Sequence, residues 1–207
     1  MPAHVRPKNS LEWEGLVSKG RIAVAGILMG VFVTLSALAE EQLGFLPNSG
    51  REIMLKVLGI CQKCDDLATL AGAKRTEGEW KDYLSSMGGL EGLNERQVKE
   101  LITYLAINFP LKKEISGNPM KADSLPKGGK EILLTNCLGC HSVSIVALSE
   151  KPEAAWWNVL MRTDHAPVLE KLEEVEAKTL TTYLAINMPV PAKDIPEDLR
   201  VPSPGQG

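Results

Sequence analysis

Histidine is scarce in this chain: among 207 residues there are three, His4, His141 and His165. Chemistry that needs a cluster of imidazoles is excluded, and every candidate imidazole ligand can be named. Aromatic residues make up 5 % and the net charge is −3. No basic, aromatic-rich patch occurs, which argues against nucleic acid as a partner. There is no Gly-rich phosphate loop. Outside one cysteine motif there is no Ser or Cys nucleophile accompanied by a histidine base, so the reading is not that of an enzyme. No stretch alternates apolar and polar residues for a useful length, which leaves an all-α chain.

What is present begins with an uncharged run. Residues 22–39 are continuously apolar or small, with Arg21 in front and Glu40 and Glu41 behind. As a helix the run would extend roughly 27 Å, about the hydrocarbon thickness of a bilayer. Ahead of it lie His4, Arg6, Lys8, Lys19 and Arg21 against Glu12 and Glu14, which by the positive-inside rule keeps residues 1–21 in the cytoplasm. Ala37-Leu38-Ala39 also has the form of a signal-peptidase site. The long leading region, with Pro2, Pro7 and Trp13, favours a retained transmembrane anchor. Either reading places the rest of the chain in an oxidising, extracytoplasmic compartment.

The four cysteines form two C-x-x-C pairs, Cys61/Cys64 and Cys137/Cys140. In an exported chain they could be two disulfides. Four thiolates could hold zinc, but the pairs lie 76 residues apart, and zinc leaves His141 unexplained. His141 directly follows Cys140, and Cys-x-x-Cys-His is the attachment signal for c-type haem. Its thiols add to the haem vinyl groups, and the histidine ligates iron from one side. The first pair is followed instead by Asp65.

The chain repeats itself. Thr103 to Asn108 recurs unchanged as Thr182 to Asn187, followed by Phe109-Pro110 and by Met188-Pro189. Gly50 to Leu55 matches Gly129 to Leu134. Trp80 lies 16 residues after Cys64, and Trp156 lies 16 after Cys140. Each copy reads as helix, cysteine motif, loop, tryptophan helix, loop and terminal helix. Val98, Leu101, Ile102 and Leu105 make one apolar face of the first terminal helix. Pro110 and Pro189 stop the two terminal helices.

This order resembles that of class I cytochromes c, in particular the small domains of diheme bacterial cytochromes, over roughly residues 48–190. The resemblance implies an all-α architecture of two tandem cytochrome c domains after the N-terminal transmembrane helix. Residues 48–110 form a degenerate copy and 128–190 a haem-binding one. Residues 111–127 read as a linker, and 191–207 as a Pro-rich tail that is extended or disordered. The cofactor implied is haem c at Cys137 and Cys140, with His141 on iron. The sixth ligand is expected from the loop before the terminal helix, which holds Met161 and His165, and the sequence leaves the two open. Met188 is expected to pack, as Phe109 does.

In the first copy Met87, six residues before Leu93, occupies a place comparable to that of His165, seven residues before Leu172. That copy could hold a second haem at Cys61 and Cys64 with Met87 as a ligand, a Cys61–Cys64 disulfide, or cysteines that are free or bind another metal. The lost histidine favours no haem, with a core closed around Trp80, Met87 and Tyr104. The functional expectation is a membrane-anchored periplasmic c-type cytochrome of the cell inner membrane. It would carry electrons among redox partner proteins, or serve as a subunit of a respiratory or quinol-oxidising complex. A haem-based sensor and a structural subunit of a membrane oxidoreductase complex are the alternatives.

Overall fold

A computed structural model describes residues 43–60, 70–111 and 125–200. The chain divides into Met1–Leu43 and a compact unit, Gly44–Gly207, that contains both copies. The first copy supplies α1 (Gly50–Ile60), α2 (Glu77–Ser86) and α3 (Glu95–Asn108). The second supplies α4 (Gly129–Asn136), α5 (Val143–Ala147), α6 (Glu153–Leu160), α7 (Ala166–Leu169) and α8 (Glu174–Asn187). No strand occurs among the described residues.

Local chemistry sets several of these boundaries. Thr76 Oγ1 accepts a hydrogen bond from Glu79 N at 3.3 Å, and the Glu79 carboxylate accepts one from Thr76 N at 2.7 Å. This reciprocal pair starts α2, and its bonds to Thr76 hold the Glu79 carboxyl below the usual range. Asn94 and Gln97 start α3 in the same way. The terminal helices α3 and α8 stop at Pro110 and Pro189, each of which follows a cis peptide bond.

Within each copy the first helix and the tryptophan helix both pack on the terminal helix. The approach is very close. A Cβ on Gly50 would lie 2.1 Å from Tyr104 Cβ, and one on Gly129 would lie 2.1 Å from Tyr183 Cβ. Only glycine fits at these crossings.

The two copies meet along α3 and α8 in an approximately two-fold arrangement. Tyr104 Oη donates to Pro126 O at 2.7 Å, on the lead-in to α4. Tyr183 Oη donates to Pro47 O at 2.7 Å, on the lead-in to α1. Arg51 pairs with Glu131 at 2.7 Å, and Lys130, its repeat partner, pairs with Glu52 at 3.3 Å. Gly128 sits so near Ser49 that an added Cβ would be 2.2 Å from its Oγ.

Two expectations are corrected. Among the described residues no helix is long and apolar enough to cross a membrane. Residues 22–39, where a spanning helix was expected, lie outside the described residues. Over the described residues the architecture stands as all-α. The tail is also more ordered than its prolines suggest. Ile195 is 1 % exposed, and its carbonyl accepts from Arg200 Nε at 2.9 Å. One apolar side chain seated in the core ties down this part of the tail, while residues 201–207 lie outside the described residues.

Candidate functional site

The site grows from the end of α4. Cys137 caps that helix, its N–H donating to Leu133 O at 3.0 Å. The chain then turns tightly, so that Cys140 N and His141 N both donate to Cys137 O, at 3.3 and 3.1 Å. This places both sulfurs and the imidazole on one rim. Both thiols are free, so this pair is not a disulfide. Burial, and then the neighbouring Cys140, push the Cys137 thiol up to about 11. It is therefore a neutral thiol at physiological pH rather than a thiolate.

The rim opens onto a cavity of about 390 Å³, within the range of small-molecule and cofactor sites. Leu133, Val146, Trp156, Leu160, Leu180 and Leu184 supply apolar wall, and Lys151 and Arg162 add two cations. Lys151 Nζ lies 4.7 Å from the centre of the Trp156 ring. Trp156 Nε1 is buried and has no hydrogen-bond partner.

His165 lines the same cavity. It ends a short 3₁₀ turn, Thr163–His165, that follows α6, with its N–H donating to Arg162 O at 2.9 Å. Its ring centre lies 5.8 Å from that of His141, and the two planes are 33° apart. Asp164 Oδ1 is 3.3 Å from His165 Nδ1, although the geometry is not that of a hydrogen bond.

Met161, the other candidate sixth ligand, caps α6 and is 42 % exposed. It does not line the cavity. Met188 is buried in the core, as Phe109 is. Two imidazoles bound to opposite faces of one metal stand about 6 Å apart centre to centre, from bonds of about 2 Å and about 1 Å from each nitrogen to its ring centre. The observed separation of 5.8 Å suits such a pair. The residues present would therefore suit a haem, with His141 and His165 to hold its iron, Cys137 and Cys140 to attach it, and Lys151 and Arg162 to balance its acid groups.

Cys61, Cys64 and Asp65 lie outside the described residues. The described part of the first copy is tightly packed. Trp80 is fully buried, with the Tyr83 and Phe109 rings edge-on at 5.9 Å each. The Arg75 guanidinium lies 4.7 Å from the Trp80 ring centre and 4.1 Å from that of Tyr83. Met87 caps α2 as Met161 caps α6. Its structural counterpart is therefore Met161 and not His165, which corrects the match drawn from sequence spacing.

No family model, curated protein or solved structure matches this chain. Among the described residues, no group of three or more His, Cys, Asp or Glu could hold a metal ion, and no helix can cross a membrane. These findings correct the expectation of a membrane-anchored electron carrier or respiratory subunit. The inner-membrane and periplasmic placement, the membrane-complex partners, and the alternatives of a haem-based sensor and of a structural subunit of a membrane oxidoreductase complex are withdrawn with it.

Proposed function

We propose that the second copy is a haem c-binding domain carrying one covalent haem, and that the first copy is its haem-free packing partner. The observation that carries this reading is the proximity of His141 and His165, 5.8 Å apart centre to centre, in a cavity also lined by Cys137 and Cys140. A haem needs only two axial protein ligands, because the porphyrin supplies the other four. It is therefore compatible with a site that gathers too few side chains for a bare metal ion. The domain order resembles that of class I cytochromes c, with histidine rather than methionine in the sixth position.

When bound, the group would supply one-electron redox chemistry. The rest would be done by the chain. Cys137 and Cys140 would fix the group covalently, and His141 and His165 would hold its iron. Lys151 and Arg162 would balance its acid groups, and the buried Trp156 indole N–H would be free to donate to it. Leu160, Leu180 and Leu184 would keep water from the rest of the pocket.

The test is the mass of the protein made in a host with haem-attachment machinery. One covalent haem is expected, lost in Cys137→Ala/Cys140→Ala and retained when Cys61 and Cys64 are replaced. Zero or two haems in the wild type would overturn the reading. In the spectrum, His165→Ala should convert a low-spin haem to a high-spin one, whereas Met161→Leu should leave it low-spin.

A further inference from the structure

We propose that Glu100 is a proton-binding site on the seam between the two copies, and that its protonation state sets how firmly the copies are held together. This does not depend on the haem reading. Glu100 is 3 % exposed. Its Oε1 accepts from Gly50 N, in its own copy, at 2.9 Å. Its Oε2 accepts from Asn187 Nδ2, in the other copy, at 2.9 Å. One carboxyl group therefore joins the start of α1 to the end of α8.

The two-fold arrangement supplies an internal control. The repeat partner of Glu100 is Thr179, and that of Asn187 is Asn108. Asn108 Nδ2 donates to Thr179 Oγ1 at 3.1 Å. One half of the seam thus uses a hydroxyl that is neutral at all relevant pH values, while the other half uses an acid. Both donors to Glu100 are uncharged. Arg51 and Lys130, on α1 and α4, are engaged by Glu131 and Glu52. Glu52, on α1, acts on Glu100 with a like charge. Tyr183, on α8, is pushed well up by burial and by the charges of Glu100 and Glu52. Tyr104, on α3, is also raised, by burial first, and remains neutral.

Burial outweighs the two hydrogen bonds and raises the Glu100 carboxyl to about 7. A proton taken up there needs an acceptor. Asn187 can offer its Oδ1 only by turning its amide, which surrenders the bond from Nδ2 to Tyr183 O at 3.0 Å. Titration therefore changes the hydrogen bonding of the seam. The same helix, α8, carries Leu180 and Leu184 in the cavity wall.

The sign follows from linkage. A carboxyl raised in the folded state binds more protons there than in the unfolded chain. Its contribution to stability is present in full below the ordinary value of 4.5 and is lost as pH rises to about 7. Urea unfolding of the whole chain across that window should show the wild type losing at least tenfold in its folding constant relative to Glu100→Gln. Glu100→Thr, which copies the other half of the seam, should behave like Glu100→Gln. The same pH dependence in wild type and both variants would overturn the proposal. Should the variants not fold, infrared spectra of the wild type decide. A protonated-carboxyl band that disappears between about pH 6 and 8 is expected, and no titrating band in that range would overturn the site.

Discussion

One added methyl group tests how the copies are built. At Gly129 the new Cβ would stand 2.1 Å from Tyr183 Cβ, 2.6 Å from its Cγ and 3.0 Å from Thr179 O. Carbon atoms in good contact sit about 3.5–4.0 Å apart, so α4 and α8 must separate by roughly 1.5 Å. Neither obstacle can swing aside, because one is a Cβ fixed to the α8 backbone and another is a backbone carbonyl. Overpacking of this kind costs about 1–3 kcal/mol, and more where nothing can yield. The shift also pulls on the Tyr183 hydroxyl, which is anchored on Pro47 O. Gly129→Ala should therefore lose about 3 kcal/mol or more in urea unfolding, with Gly50→Ala close to it because its surroundings are nearly the same. Gly59, late in α1, is the control: an added Cβ there meets nothing within 4 Å. Gly59→Ala should gain about 0.5–1 kcal/mol through helix propensity. A loss under about 1 kcal/mol for Gly129→Ala would refute the close-crossing argument.

Two further outcomes follow from the hydrogen bonds. Tyr104→Phe and Tyr183→Phe each remove one bond that crosses between the copies. Each should cost about 1 kcal/mol by denaturant midpoint, and both variants should keep the native circular dichroism spectrum. Thr76→Ala removes the side-chain cap of α2 and should cost about 1 kcal/mol by the same measurement.

Much of the helical plan was legible in the sequence. The repeated Thr-Tyr-Leu-Ala-Ile-Asn string located α3 and α8, and Pro110 and Pro189 marked where they stop. The Cys-x-x-Cys-His string located one rim of the cavity. Which of Met161 and His165 lines the cavity was not legible, because spacing gives position along a chain and not the direction of a side chain. Met161 falls on the C-cap of α6, which carries it outward, while the 3₁₀ turn four residues later brings His165 inward. The short helices α5 and α7 were missed because so few residues show no period. Hydropathy suggested a membrane span at 22–39, and no described helix supports one. The seam was hidden for a different reason. Its bonds join residues of different copies, such as Tyr183 and Pro47, and no local pattern records them. The difference between Glu100 and Thr179 was visible as a mismatch in the repeat, but its place on the seam was not.

The crossed tyrosines carry a wider consequence. An interface between two identical subunits is bound by its symmetry, and every substitution enters it twice. Here the same kind of interface lies within one polypeptide, so a change such as Thr for Glu enters once. Each half lends the other an anchor on its entry loop, which makes neither half dispensable. A half whose cysteine pair is followed by Asp65 where the other has His141 therefore remains necessary as scaffold, and the chain as a whole is free to become two different proteins sharing one core.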